Sequence, residues 1–354
     1  MRLLVLASAD VIHTRRWCGW FAANGHEVLL ATLEPSSDPP EYERTLSSIP
    51  APGFLRYPLA VKSLNDLLRS FGPELVNAHY LPGYGVLGAI SRRARPLVLT
   101  AWGSDLLLNP RRSPLHLSRA RFVLRRCSLI TADSPVLSSV LQELGVAPGK
   151  IIEEPMGIDP EVFNQAGRGQ RMSDQPVRIV STRRHEPLYD LGTLLEALRL
   201  LRNDGQEFSA AFAGSGSLTG HLRAGCRRNG LEQWIEFPGE LDSVALAELL
   251  RWSEIYLSTS HSDSTSVSLL EAMACGAFPV VTDIPGNRVW IEHGVNGMLF
   301  PPGDSRALAD CIGRSAENTQ LRAESADRNW QKIRQRAVWD NNMRRVEEAF
   351  QGLI

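Results

Sequence analysis

From end to end the chain alternates short, nearly uninterrupted apolar runs with longer amphipathic stretches. Apolar runs without polar alternation mark strands buried on both faces, as in parallel sheets covered by helices. In the first half they predict strands over Leu3–Ala7, Glu27–Thr32, Leu75–Ala78, Leu97–Thr100 and Leu129–Ala132. Helical periodicity between them predicts amphipathic helices that include Thr14–Ala23, Ser63–Ser70 and Ser134–Leu144. A second series starts at Val177–Ser181 and runs through Ala210–Ala213, Trp234–Phe237, Ile255–Ser258, Phe278–Val281 and Met298–Phe300. The fold class is therefore α/β, with two doubly wound, Rossmann-like domains.

Between Gln165 and Gln175 the apolar residues give way to Gly, Gln, Ser, Asp and Arg, which places the join there. The expected domains are residues 1–168 and 169–337, followed by a segment 338–354 that contains the amphipathic stretch Trp339–Phe350. Ligands of doubly wound sheets sit beyond the carboxyl ends of the strands, so the expected active site is the cleft between the two domains. Length agrees, since 354 residues exceed one ordinary core and 43% apolar residues can fill two.

Charge and cysteine content narrow the function. A net charge of −1 gives no bulk attraction for nucleic acid. Five scattered cysteines, Cys18, Cys127, Cys226, Cys275 and Cys311, show no Cys-x-x-Cys spacing and read as reduced thiols of a cytoplasmic protein. No metal-ligand cluster appears in the sequence. The apolar run at Met1–Ala7 is too short for a secretion signal and reads as the first buried strand.

The densest candidate chemistry lies at Ser260–Gly276, where Asp263 and Glu271 stand eight residues apart as a polar loop turns into an apolar helix. Asp263, Ser264, Thr265 and Ser266 are helix-opening residues, and unpaired amides at such a start can grip an anion. Glu271 is then expected about two turns down the helix, on nearly the same face as Asp263. The plain alternative is a helix cap and a surface glutamate.

This arrangement resembles the Glu-x7-Glu signature of family 4 retaining glycosyltransferases, with Asp263 in place of the first Glu. Similarity continues through Pro279–Arg288 and His293–Asp304 and, more weakly, back to the first strand. The resemblance implies the GT-B fold, whose last helix crosses back to the first domain, and Trp339–Phe350 is the candidate for it. It also implies sugar transfer from a nucleotide-diphosphate sugar, a UDP-sugar by the breadth of the family, to a hydroxyl acceptor. The acceptor would be a glycan, a lipid-linked glycan or a small molecule, in surface-polysaccharide or glycolipid assembly. No metal and no further cofactor is implied, because the donor is a co-substrate.

Residue by residue, the resemblance assigns Glu271 to the ribose hydroxyls, Asp263 to hydroxyls of the donor sugar, and the amides of Thr265, Ser266 and Val267 to the sugar and diphosphate. Arg184 stands where the family places an arginine on the diphosphate, a cation that would stabilise charge building on the leaving group. Five residues on, Tyr189 replaces the usual lysine, so a cation is missing and Arg183 is one candidate to compensate. Gly214 and Gly216 match the family's Gly-x-Gly turn, and Leu241 the turn whose backbone holds the base.

In the first half, His13, His79, Trp102 and Asp105 lie at predicted strand ends and are acceptor-side candidates. Trp102 stands where many relatives carry a histidine, while His79 equally reads as a buried, satisfied side chain and Asp105 as a turn cap. Arg111–Arg126 holds Arg111, Arg112, Arg119, Arg121, Arg125 and Arg126 with no acidic residue, interleaved with Leu115, Leu117, Phe122, Val123 and Leu124. Such a face suits anionic lipid or a diphosphate-bearing acceptor, and equally a solvated helix. Two other functions stay open: a sugar-nucleotide epimerase of the same architecture, and a nucleotide-sugar-binding protein weakened in catalysis by Tyr189 and Trp102.

Overall fold

The computed structural model describes residues 1–47, 51, 53–169 and 175–354. The chain divides into two compact units, Met1–Pro155 with Met343–Ile354, and Met156–Asn342.

The first unit is built on a sheet of β1 (Arg2–Leu6), β2 (Glu27–Thr32), β3 (Glu43–Thr45), β4 (Leu75–His79), β5 (Leu97–Thr100), β6 (Leu129–Ala132) and β7 (Ile151–Glu153). The second carries β8 (Val177–Ser181), β9 (Phe208–Ala213), β10 (Ile235–Gly239), β11 (Ile255–Ser258), β12 (Phe278–Thr282) and β13 (Met298–Phe300). Both sheets are parallel. Their orders are β3-β2-β1-β4-β5-β6-β7 and β10-β9-β8-β11-β12-β13. Each order reverses once, between β1 and β4 and between β8 and β11. There the loops leaving neighbouring strands diverge to opposite faces and open a crevice at the carboxyl ends.

The apolar runs form strands because both faces of each sheet are covered. In β8, Ile179 belongs to one core with Leu198, Phe212 and Leu257. Its neighbour Val180 belongs to the opposite core with Tyr256, Met273 and Trp290. Successive residues of a strand point to opposite faces, so both must be apolar. The sequence pattern misses β3 and β7, three-residue edge strands that contain Glu, Arg and Thr or end in Glu. An edge strand with one solvated side needs no apolar run.

The expected boundary after residue 168 falls inside the second unit. The chain enters that unit at Met156, because Ile158 bridges to Val338 and both Ile158 and Phe163 are buried in its core. A pairing so distant in sequence leaves no local signature. Residues 170–174 of the expected join lie outside the described residues. The last helix, Trp339–Gln351, passes from the second unit into the first. In the first unit its Phe350 stacks on Phe21 at 5.7 Å and its Arg345 pairs with Glu154. Glu347 Oε1 lies 2.7 Å from His26 Nε2.

Candidate functional site

In the second unit the loops after β8, β9, β10 and β11 leave the carboxyl end of the sheet side by side. They are tied together. Thr259 Oγ1 donates to the Tyr189 carbonyl at 2.7 Å, and His261 N to the Leu188 carbonyl at 3.0 Å, joining the loop after β11 to that after β8. The loop after β9 packs just as closely. A Cβ added at Gly216 would lie 2.4 Å from the His185 carbonyl oxygen, so only glycine fits there. Gly214 N donates to the Gly239 carbonyl at 2.6 Å, which ties in the turn after β10 that leads to half-buried Leu241.

The loop after β11 ends at Ser266, whose hydroxyl accepts from Leu269 N and caps the helix Val267–Ala274. This corrects the expected helix start. With Ser266 as the cap, Asp263 lies outside the helix and Glu271 sits little more than one turn inside it, so Asp263 and Glu271 are not on one helical face. Four consecutive residues able to cap leave the choice open in sequence, and the register of the loop decides it. Leu269, Leu270, Ala272, Met273 and Ala274 are all fully buried. Only Val267, Ser268 and Glu271 emerge, at the i, i+1 and i+4 positions of one stripe, so Glu271 shares its face with the helix start.

Arg183 and Arg184, adjacent at the end of β8, part company. Arg184 is exposed, whereas Arg183 is 8% exposed and turns into the structure. Its Nη2 donates to Asp263 Oδ2 at 2.6 Å, and its Nη1 to Ser268 Oγ at 2.8 Å and to Ser266 Oγ. Its guanidinium carbon sits 4.2 Å from the centre of the Tyr189 ring. Burial is the largest influence and opposes its charge, but the Asp263 carboxylate, joined by Tyr256 and Tyr189, more than offsets it and holds the guanidinium above its usual pKa. Asp263 Oδ1 accepts from Ser264 N at 3.0 Å. Ser268, absent from the candidates, completes the network by meeting Tyr256 Oη at 2.9 Å. No motif marks it, because its role arises only when the helix packs over β11.

In the first unit, His13, His79 and Trp102 come together around the β1–β4 reversal. The His13 and Trp102 rings are 5.3 Å apart and those of His79 and Trp102 5.6 Å. Burial, then Arg16, lowers the His13 pKa to about 4. Burial, then His13, lowers that of His79 to about 3, so both rings are neutral near pH 7. Asn77 Nδ2 donates to Thr100 Oγ1, which turns Asn77 Oδ1 toward His79 Nε2 at 3.0 Å. His79 Nε2 therefore carries the proton, and the bare Nδ1 is buried without a partner among the described residues, as is the indole Nε1 of Trp102.

Asp105 does not join that group as an acceptor contact. It is fully buried, with Oδ1 accepting from Trp102 N and Oδ2 from Leu81 N, both at 3.0 Å. Burial raises its pKa to about 6 against the pull of those amides. Its carboxylate clasps the loops after β4 and β5, and so positions His79 and Trp102. Between those loops Tyr80 adopts φ 68°, a left-handed conformation that costs a bulky side chain roughly 1–3 kcal/mol. The left-handed position itself holds a tyrosine rather than a glycine or asparagine, so the sequence does not mark it.

Two family models match the chain: glycosyl transferases group 1 over residues 167–332 and glycosyl transferase 4-like over residues 2–134. The chain belongs to glycosyltransferase family 4. This family 4 chain is 29% identical over 253 residues to the amylovoran biosynthesis glycosyltransferase AmsK of Erwinia amylovora, covering 67% of the chain and 61% of AmsK. It is 27% identical over 237 residues to the putative colanic acid biosynthesis glycosyltransferase WcaL of Salmonella typhimurium, covering 65% and 57%. The family 4 chain thus spans about three fifths of the length of these curated relatives. Sucrose-phosphate synthase from Thermosynechococcus elongatus superposes with a TM-score of 0.85 at 18% identity, covering 100% of this chain and 99% of that one. Anabaena HepE in complex with UDP-glucose does so with 0.82 at 21% identity, covering 100% of both. The fold of this family 4 chain is GT-B.

Proposed function

We propose that the chain transfers a sugar from a uridine-diphosphate sugar to a hydroxyl of a glycan or lipid-linked glycan, with retention at the anomeric carbon and without a metal. The observation that carries this reading is the capped helix Val267–Ala274, with Glu271 on its only emergent face, at the reversal of the second sheet. Glu271 would accept from the ribose hydroxyls, and the amides of Thr265, Ser266 and Val267 would face the diphosphate at a helix start. Exposed Arg184 would neutralise charge on the leaving nucleotide. In retaining transfer the acceptor attacks the face the nucleotide leaves, and a donor phosphate oxygen takes the proton. The side chains then supply position and charge rather than a dedicated base.

Uridine is favoured because HepE, of the same fold, is described with UDP and with UDP-glucose. A glycan acceptor is favoured because AmsK and WcaL are named for amylovoran and colanic acid biosynthesis. A ligand that binds only the folded state stabilises it, by about 2.7 kcal/mol at a hundred times its dissociation constant. A thermal-shift series with UDP, GDP and ADP should therefore raise the unfolding midpoint by several degrees, most with UDP. No shift with any of them would sink the reading. An inverted anomer in the product would overturn retention alone.

Peripheral membrane contact through Arg111–Arg126 belongs to the same proposal. No helix among the described residues is long and apolar enough to cross a membrane. The segment forms the helix Pro114–Leu124, which turns Val123 and Leu124 into the core. It leaves Leu115 at 75% and Phe122 at 38% exposure beside exposed Arg112, Arg121, Arg125 and Arg126. The side chain of Arg111 lies outside the described set. Basic residues near an anionic bilayer contribute roughly 1 kcal/mol each. Replacing Arg125 and Arg126 by glutamate should abolish salt-sensitive binding to phosphatidylglycerol vesicles, and equal binding by both proteins would end the idea.

A further inference from the structure

We infer that Arg183 is a positioning residue for the sugar-binding half of the donor site, and that it forms one interdependent unit with Tyr189 and Asp263. The inference rests on the donor-site reading above. Its starting point is that the chain departs from the family pattern twice, with Tyr189 for lysine and Asp263 for glutamate, and both departures touch the same guanidinium. Asp263 Oδ2 accepts from Arg183 Nη2 at 2.6 Å, and the Tyr189 ring centre lies 4.2 Å from the Arg183 guanidinium carbon.

The two substitutions make physical sense only with Arg183 turned inward. A lysine at 189 would set an ammonium beside a buried guanidinium, where the aromatic face now attracts it. A glutamate at 263 would carry its carboxylate one methylene further, into the space of the Arg183 fork. The fork also reaches Ser268 Oγ at 2.8 Å and the capping hydroxyl of Ser266, so one side chain spans the loop after β8, the loop after β11 and the helix start. Arginine suits this, because its donors are fixed in one plane and it keeps its charge when buried. Arg183 thus fixes where Asp263 points without reaching the diphosphate, and exposed Arg184 is left as the cation for the phosphates.

The test uses the full chain and two probes, UDP and UDP-glucose, titrated by calorimetry into the unaltered protein and into Arg183→Lys, Tyr189→Lys and Tyr189→Phe, each checked by its unfolding midpoint. Arg183→Lys and Tyr189→Lys should each leave the UDP dissociation constant within about twofold, yet change the ratio of the UDP-glucose and UDP constants by about tenfold. Tyr189→Phe, which keeps the stack, should match the unaltered protein. If Arg183→Lys fails to fold, Tyr189→Lys, which keeps both Arg183 and Asp263 and disturbs only the stack on the guanidinium, carries the same test. Equal weakening of UDP and UDP-glucose would make Arg183 a phosphate contact and overturn the inference, and so would an unchanged ratio in both lysine variants. Failure of the unaltered protein to bind UDP would overturn the donor-site reading itself.

Discussion

Replacing Glu271 with alanine should weaken UDP binding by about 30- to 1,000-fold, with the unfolding midpoint nearly unchanged. The estimate follows from a carboxylate accepting two hydroxyl protons, because losing charge-assisted hydrogen bonds costs about 2–4 kcal/mol in total. On the proposed reading Glu271 would hold the ribose alike in the ground and transition states, so kcat/KM for transfer should fall with the affinity while kcat moves little. Stability should survive for a positional reason. Glu271 is one of the emergent residues of a helix whose neighbours Leu270, Ala272 and Met273 are fully buried, and alanine is the best helix former. Glu271→Gln keeps the shape and one acceptor oxygen, so it should lose about tenfold. Calorimetry with UDP checks both variants, and unchanged affinity in Glu271→Ala would remove Glu271 from the donor site.

How much of this could be read from residues alone depended on whether the deciding contact was local. The strands Glu27–Thr32, Leu97–Thr100, Leu129–Ala132, Val177–Ser181, Ile255–Ser258 and Met298–Phe300 have the predicted ends, because burial on both faces writes itself into nearly every position. The helix bearing Glu271 was legible for the same reason. Its first residue was not, since Asp263, Ser264, Thr265 and Ser266 can all cap and the choice rests on bonds to Leu188 and Tyr189, some seventy positions away. Tandem arginines pose the same problem, as nothing local says whether Arg183 or Arg184 turns inward. Asp105 and Tyr80 were opaque because a buried carboxylate bridging two loops and a strained tyrosine have no sequence pattern of their own.

Gly286→Ala should separate sugar turnover from nucleotide binding, although Gly286 needs no contact with the donor. A Cβ at this position would lie 2.4 Å from the Asp263 carbonyl oxygen and 2.5 Å from that of Ser264. Both are backbone atoms, so neither can swing aside as a side-chain tip can. Relief requires the loop after β11 to move by most of an ångström, which draws Asp263 away from Arg183. Overpacking of this kind costs about 1–3 kcal/mol of stability. A displacement near 1 Å at reacting groups costs about 100-fold in rate. Glu271 rides on a helix anchored in the core beyond the loop, so UDP affinity should stay within a few-fold. The contrast with Glu271→Ala is the point of the experiment: one variant loses the nucleotide, while the other holds it and fails to turn over. Gly220→Ala is the control, because an added Cβ there meets nothing within 4 Å on the helix Thr219–Arg228. Rates of UDP release from UDP-glucose, measured beside UDP dissociation constants, decide the matter. Parallel loss of both in Gly286→Ala would mean that the loop and the Glu271 helix move as one body.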